Sequence, residues 1–247
     1  VTGALAVFLG ALAVGVVSMA AFAAVGRRDA DAERKGSQFL LGAGDFLVHW
    51  LMWALGPFER ASLRVGATPD AFNFIGLFCG VAAGGLLAAG RPGEGAWAIA
   101  LGGIADIMDG RVARARGLAS PYGTFIDSTL DRFVEVFALL GLLVYLRGSA
   151  WGPFLAAAAL AGSLLVSYTR ARGESLGVTC KEGLMQRAER LVLLFLACLL
   201  DPAVAAARGG GRGTVLVPVL ALIAAGTFFT AVHRTLWIAR RLRAGGP

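Results

Sequence analysis

Apolar residues run along this chain in blocks long enough to cross a bilayer, separated by short polar stretches rich in arginine, glycine and proline. Residues 1–25 are apolar up to the Arg27-Arg28 pair. They lack the basic start of a secretory leader and are long enough to span, which predicts an extra N-terminal transmembrane helix with its start outside. Residues 27–36 read as a charged linker. Over 38–65, Phe46, Leu47, Trp50, Trp53, Leu55 and Phe58 alternate with Asp45, His49, Glu59, Arg60 and Arg64. Aromatics beside basic residues predict an amphipathic helix lying in the membrane interface, and Gly56-Pro57 argues against a short span there. Six apolar segments follow, at 68–89, 95–116, 121–146, 150–170, 190–205 and 214–236. Open strands cannot span lipid, so each is expected to be a helix. Gly80, Gly84, Gly85, Gly102 and Gly103 would let such helices pack closely.

Composition agrees with this division. The chain is 57% hydrophobic and 16% charged, with a mean hydropathy of +0.71, values that exclude an ordinary soluble domain. The length leaves room for one membrane domain: 1–36 as extra helix and linker, 37–66 as the interfacial helix, 67–247 as the main bundle. The net charge of +7 is mostly arginine, and no basic run is interleaved with aromatics as a nucleic-acid surface would be. If the segment after Asp109 faces the cytoplasm, 19 of the 23 Lys and Arg residues lie inside and 4 (Arg91, Arg147, Arg208 and Arg212) outside. That asymmetry predicts an orientation with the polar ends of the central helices at the cytoplasmic leaflet, and the Ala/Gly/Arg-rich composition points to a bacterial inner membrane. Cys79, Cys180 and Cys198 form no CxxC or His/Cys cluster and read as reduced thiols. His49 and His233 are isolated, and neither reads as a ligand.

Against this apolar background four aspartates stand out. Asp106 and Asp109 are i,i+3 neighbours near the end of one predicted helix, and Asp127 and Asp131 are i,i+4 neighbours near the start of the next. Each pair therefore shares a helix face. Converging carboxylates in a low-dielectric setting stay ionised only with cations between them, and oxygen-only ligands favour Mg²⁺, Mn²⁺ or Ca²⁺ over zinc. Ionisable residues inside a membrane mark function. A plain alternative is helix-end aspartates paired with nearby arginines.

The full pattern is D-x-x-D-G-x-x-A-R, eight residues, then G-x-x-x-D-x-x-x-D, built from Asp106, Asp109, Gly110, Ala113, Arg114, Gly123, Asp127 and Asp131. It resembles the signature of the CDP-alcohol phosphatidyltransferase family, with every fixed position filled. The resemblance implies six transmembrane helices around a polar cavity open to the cytoplasm, in a homodimer. It implies displacement of CMP from a CDP-linked lipid, CDP-diacylglycerol, by a polar alcohol. Asp106, Asp109 and Asp127 would hold two Mg²⁺ ions, with Mn²⁺ an alternative. Asp131 would touch the second ion and take the proton of the attacking hydroxyl. Gly110, Ala113 and Gly123 would make room for the cytidine nucleotide, Asp109 would contribute to the same subsite, and Arg114 would pair with the pyrophosphate. Family members carry Pro-Asn-x-x-Thr before the first of the six helices. Here the segment reads Pro69-Asp70-Ala-Phe-Asn73, with Asn73 the residue expected to face the nucleotide.

A second polar block, from Ser167 to Arg190, holds Arg170, Arg172, Lys181, Arg187 and Arg190. It is similar to the R-A-R-x-E…R-x-x-R block of the phosphatidylinositol-phosphate synthase branch, apart from Gly173 where that branch has Ala. A cationic mouth suits an acceptor that carries phosphate, so an inositol phosphate is the expected acceptor. Glycerol 3-phosphate, free inositol and serine stay open, because the same arginines also satisfy the positive-inside rule. A transporter or channel could use intramembrane acids too, but it has no need of the Gly110/Ala113/Arg114/Gly123 pattern.

Overall fold

The computed structural model describes residues 3–25, 44–180 and 182–245. Among these are eight helices and no strand: α1 (Gly3–Val25), α2 (Asp45–Arg64), α3 (Pro69–Ala88), α4 (Pro92–Ala115), α5 (Pro121–Tyr145), α6 (Gly152–Ser175), α7 (Arg187–Arg208) and α8 (Leu216–Arg243). The charged linker at 27–36, the first residues of the expected interfacial segment, 37–43, and Lys181 lie outside the described residues.

Five helices are long and apolar enough to cross a membrane: α1, α3, α6, α7 and α8. The chain is an all-helical polytopic membrane protein. α4 and α5, with 24 and 25 residues, have the length, about 36 Å at 1.5 Å per residue. Asp106, Asp109, Arg111 and Arg114 on α4, and Asp127, Asp131, Arg132 and Glu135 on α5, keep these two out of that apolar set. The charged residues of the aspartate motif and their neighbours therefore blur the hydropathy signal of their own helices.

The chain forms two compact units, Val1–Gly80 with Ala100–Val134, and Val81–Ile99 with Glu135–Pro247. In the first, α1 lies on α2 through Phe22, whose ring centroid is 5.5 Å from that of Phe46 and 5.7 Å from that of Trp53. The Trp50 indole N–H donates to Ser18 Oγ at 2.9 Å. α2 runs unbroken through Pro57, so the Gly-Pro pair does not end it. Its inner side meets α4. The Arg111 guanidinium donates to Glu59 Oε2 at 2.6 Å, and Arg116 donates to the Leu63 carbonyl at 3.2 Å. Phe72 of α3 joins Met108 and Val112 of α4 in an apolar core that Leu55 and Leu63 of α2 partly cover. Gly80 allows α3 to touch α5, since a Cβ there would come within 2.8 Å of the Val134 backbone.

In the second unit small residues again set the approach. Gly84 and Gly141 put α3 and α5 in backbone contact, and Gly162 of α6 receives Thr227 of α8. Asp201, fully buried on α7, accepts from the backbone N–H groups of Gly213, Val215 and Leu216, the last at 3.2 Å, and from the Tyr145 hydroxyl at 3.3 Å. One carboxylate thus satisfies donors at the start of α8 that have no partner within the helix.

Candidate active site

α4 ends and α5 begins in a short connection whose chemistry is readable residue by residue. Gly117 takes φ 67, the left-handed value that favours glycine. The Leu118 N–H donates to the Ala113 carbonyl at 2.8 Å and the Gly117 N–H to the Arg114 carbonyl at 3.1 Å, which closes the last turn of α4. Ser120 Oγ accepts from the Gly123 N–H at 3.1 Å, and Pro121 opens α5. Serine at the N-cap with proline after it is a preferred helix start. The turn is therefore fixed at both ends, and it presents the last turns of α4 to the first turns of α5.

Across this turn one carboxylate oxygen each from Asp106, Asp109 and Asp127 lies within 4.8 Å of the others. Asp109 is buried, and the other two are half-buried. Asp131 stands one turn beyond Asp127. It does not belong to the three-oxygen group, and its Oδ2 lies 4.0 Å from an Arg132 guanidinium nitrogen. Three anionic oxygens at this separation repel, and the arrangement calls for a divalent cation among them. The donor set, oxygen only and partly shielded from water, fits a hard ion.

The expected nucleotide residues are placed as follows. Asn73 is buried on α3. The bare face of Gly110 meets the Arg114 guanidinium, and a Cβ there would lie 3.1 Å from its NH1. The absence of a side chain at 110 thus leaves space for Arg114 to fold back along its own helix. At Gly123 a Cβ would meet only Ser120 Oγ, at 3.5 Å. The fold itself has no steric reason for glycine there.

The basic residues of the second block belong to the second unit. Arg170 donates to Glu174 Oε1 at 2.9 Å along α6, and Arg172 is exposed beside Ser175. Arg187 opens α7. Arg190 is only 2% exposed. It grips Glu135 with both arms, Nε to Oε1 at 2.7 Å and NH2 to Oε2 at 3.2 Å, while NH1 donates to the Met185 carbonyl at 3.2 Å.

Comparison with known proteins places this geometry. The sequence profile of the CDP-alcohol phosphatidyltransferases matches residues 67–237. This chain belongs to that family. The archaetidylinositol phosphate synthase of Methanothermobacter thermautotrophicus is 31% identical over 185 residues, covering 73% of this chain and 87% of its own length. The phosphatidylinositol phosphate synthase of Streptomyces avermitilis is 36% identical over 195 residues, 75% of this chain and 78% of its own. Crystal structures of the Mycobacterium tuberculosis phosphatidylinositol phosphate synthase resemble this fold at 27% identity. The one with CDP-DAG bound has a TM-score of 0.64 and covers 74% of this chain and 92% of that one. The one with manganese and citrate has a TM-score of 0.65 and covers 74% and 87%.

As a CDP-alcohol phosphatidyltransferase the chain is a metal-dependent membrane enzyme, and the aspartate cluster offers the oxygen donors that a divalent metal takes. Several structural partners of the site escape a reading of the sequence. Glu135 looks like an isolated charge on α5, yet it anchors Arg190. Arg111 occupies a variable position of the motif, yet it is buried and joined to Glu59. Thr230 and Arg234 of α8 hold the segment before α7. Thr230 and Glu135 stand out in sequence only as polar residues between apolar ones, and Arg234, between His233 and Thr235, does not stand out at all.

Proposed function

We propose that this enzyme transfers the phosphatidyl group of CDP-diacylglycerol to an inositol phosphate and releases CMP. The observation that carries the reading is the convergence of Asp106, Asp109 and Asp127 within 4.8 Å on the two helices of the family motif. The inositol-phosphate acceptor is supported by the names of the relatives and by the basic block from Arg170 to Arg190.

In this reaction the acceptor hydroxyl oxygen forms a bond to the β-phosphorus, and the bond from that phosphorus to the bridging oxygen of CMP breaks. Asp131 takes the hydroxyl proton, which makes the attacking oxygen a better nucleophile. Asp106, Asp109, Asp127 and Asp131 hold two Mg²⁺ ions, with Mn²⁺ able to replace them; when bound, these neutralise the charge that builds on the phosphate oxygens. Arg114 pairs with the pyrophosphate as a guanidinium fork. Asn73, Asp109, Gly110, Ala113 and Gly123 border the nucleotide. Arg170, Arg172, Lys181 and Arg187 attract the acceptor phosphate, with Arg190 acting from its buried pair with Glu135. The enzyme works as a homodimer in a bacterial inner membrane, its site facing the cytoplasm. Residues 67–247 form the transferase domain, and the segments before it are additions.

The test is CMP release from CDP-diacylglycerol and Mg²⁺ by detergent-purified protein, with inositol 1-phosphate, inositol, glycerol 3-phosphate and serine offered singly. Release with inositol 1-phosphate is the expected result. Release with another acceptor instead would overturn the acceptor and keep the reaction class.

A further inference from the structure

The segment between α6 and α7 carries or flanks most of the residues proposed to attract the acceptor. Four residues of α8 at four-residue spacing, Gly226, Thr230, Arg234 and Ile238, form a single stripe along that helix, and every one of them touches this segment or its approach. Met185 packs on Gly226, where a Cβ would lie 2.9 Å from its Cε. The Met185 N–H donates to Thr230 Oγ1 at 3.2 Å, and that hydroxyl donates onward to the Gly226 carbonyl at 2.7 Å. Arg234 Nε donates to the Glu182 carbonyl at 2.8 Å, while its NH1 donates to the Val166 carbonyl of α6 at 3.0 Å. Ile238 packs with Val178 and Cys180.

Arg234 is the telling member. It is 3% exposed on a spanning helix, and among the described residues no carboxylate forms an ion pair with it. A buried guanidinium without an anion is costly. What it provides is a rigid fork with several donors, able to reach two carbonyls on two different elements at once. A lysine could not hold both in the same geometry. The backbone of Met185 is then fixed from both sides, its N–H by Thr230 and its carbonyl by Arg190, which is itself locked to Glu135. The fit leaves no slack, because a Cβ on Gly183 would come within 2.5 Å of Thr230 Cγ2.

We infer that the Gly226–Thr230–Arg234–Ile238 stripe is the seat of the acceptor segment, and that Thr230 and Arg234 are positioning residues for acceptor binding. They act through the backbone at 182–185 and not by touching the substrate. The inference rests on the reading that the α6–α7 region binds the phosphorylated acceptor.

The experiment uses full-length protein with Thr230→Val, Thr230→Ser and Arg234→Lys. Two readouts are taken: KM for inositol 1-phosphate against KM for CDP-diacylglycerol, and hydrogen exchange of the peptide containing Met185. Loss of one buried hydrogen bond should raise the acceptor KM about tenfold in T230V and in R234K, with the CDP-diacylglycerol KM within about twofold of wild type. Exchange at Met185 should quicken in T230V. T230S, which keeps the hydroxyl, should restore both readouts. Rescue of the acceptor KM by R234K would overturn the seat, because charge alone would then suffice. So would equal rises in both KM values, or an unchanged acceptor KM in T230V, which is close to isosteric and expected to fold. If wild-type protein prefers a different acceptor, that result sinks the acceptor reading alone. The exchange at Met185 and the KM split measured with the preferred acceptor then still decide the seat.

Discussion

At the scale of single residues, the four aspartates of the motif do not stand alike. Asp109 is buried in the three-oxygen cluster, whereas Asp131 stands outside it with an oxygen 4.0 Å from Arg132. That position is compatible with the proton-acceptor role proposed for it beside its contact with the second ion. Asp131→Asn keeps size and removes the basic oxygen, so CMP release should fall by about a hundredfold or more while the unfolding midpoint in detergent stays at the wild-type value. Retained activity would remove Asp131 from the base role. Gly123 offers a sharper separation. A Cβ there meets only Ser120 Oγ at 3.5 Å, so Gly123→Ala should fold at least as well, with a gain of about 0.5–1 kcal/mol in helix propensity. If the empty space belongs to the nucleotide, the same variant raises the KM for CDP-diacylglycerol. Paired thermal and kinetic measurements test this, and a variant neutral in both would free position 123 of any binding role. The four aspartates were legible because three- and four-residue spacings on helices speak directly about geometry. Glu135 and Arg190 are 55 positions apart in sequence, and no local period points from one to the other.

At the scale of elements, all eight helices were legible in the sequence, while some edges and the attachment of α2 were not. Apolarity marks what lipid covers, so it was sharpest for α1, the most apolar of the five candidate spans. It was weaker at the polar ends, where α6 runs on to Ser175 and α8 to Arg243, past the points at which arginines replace apolar residues. α2 reads as a helix lying on a membrane surface, and it is also fastened to the helix that carries Asp106 and Asp109. Arg111 sits two positions after Asp109, its side chain 7% exposed, and its partner Glu59 is 18% exposed. Removing Glu59 takes away the carboxylate that the buried Arg111 guanidinium holds at 2.6 Å. Glu59→Gln should therefore cost about 3 kcal/mol and lower the unfolding midpoint. In the double variant Glu59→Gln/Arg111→Met the buried guanidinium is gone as well, and a good part of the loss should return. A double-mutant cycle in detergent measures the coupling. Full additivity of the two changes would mean that α2 and α4 are neighbours without being joined.

At the scale of the whole molecule, the distribution of charge makes a claim about crossings that no single helix can make. Arg147 follows α5, and Arg243 ends α8. Between them lie α6, α7 and α8, each long and apolar enough to span. Three crossings are an odd number, so the two arginines must lie on opposite sides, whichever side the motif faces. The proposed orientation, with the basic excess on the cytoplasmic side, predicts Arg243 inside and Arg147 outside. Both positions are exposed, and of the native cysteines Cys180 and Cys198 are buried. A membrane-impermeant maleimide should therefore label Arg147→Cys in intact cells and Arg243→Cys only after permeabilisation, with the unsubstituted chain as the baseline for Cys79. Labelling of both from the same side would mean that one of the three helices does not cross, despite its composition. The reverse pattern would preserve every crossing and invert the molecule. The aspartates would then face away from the compartment where nucleotide-activated lipid is made, and the proposed reaction could not stand as written.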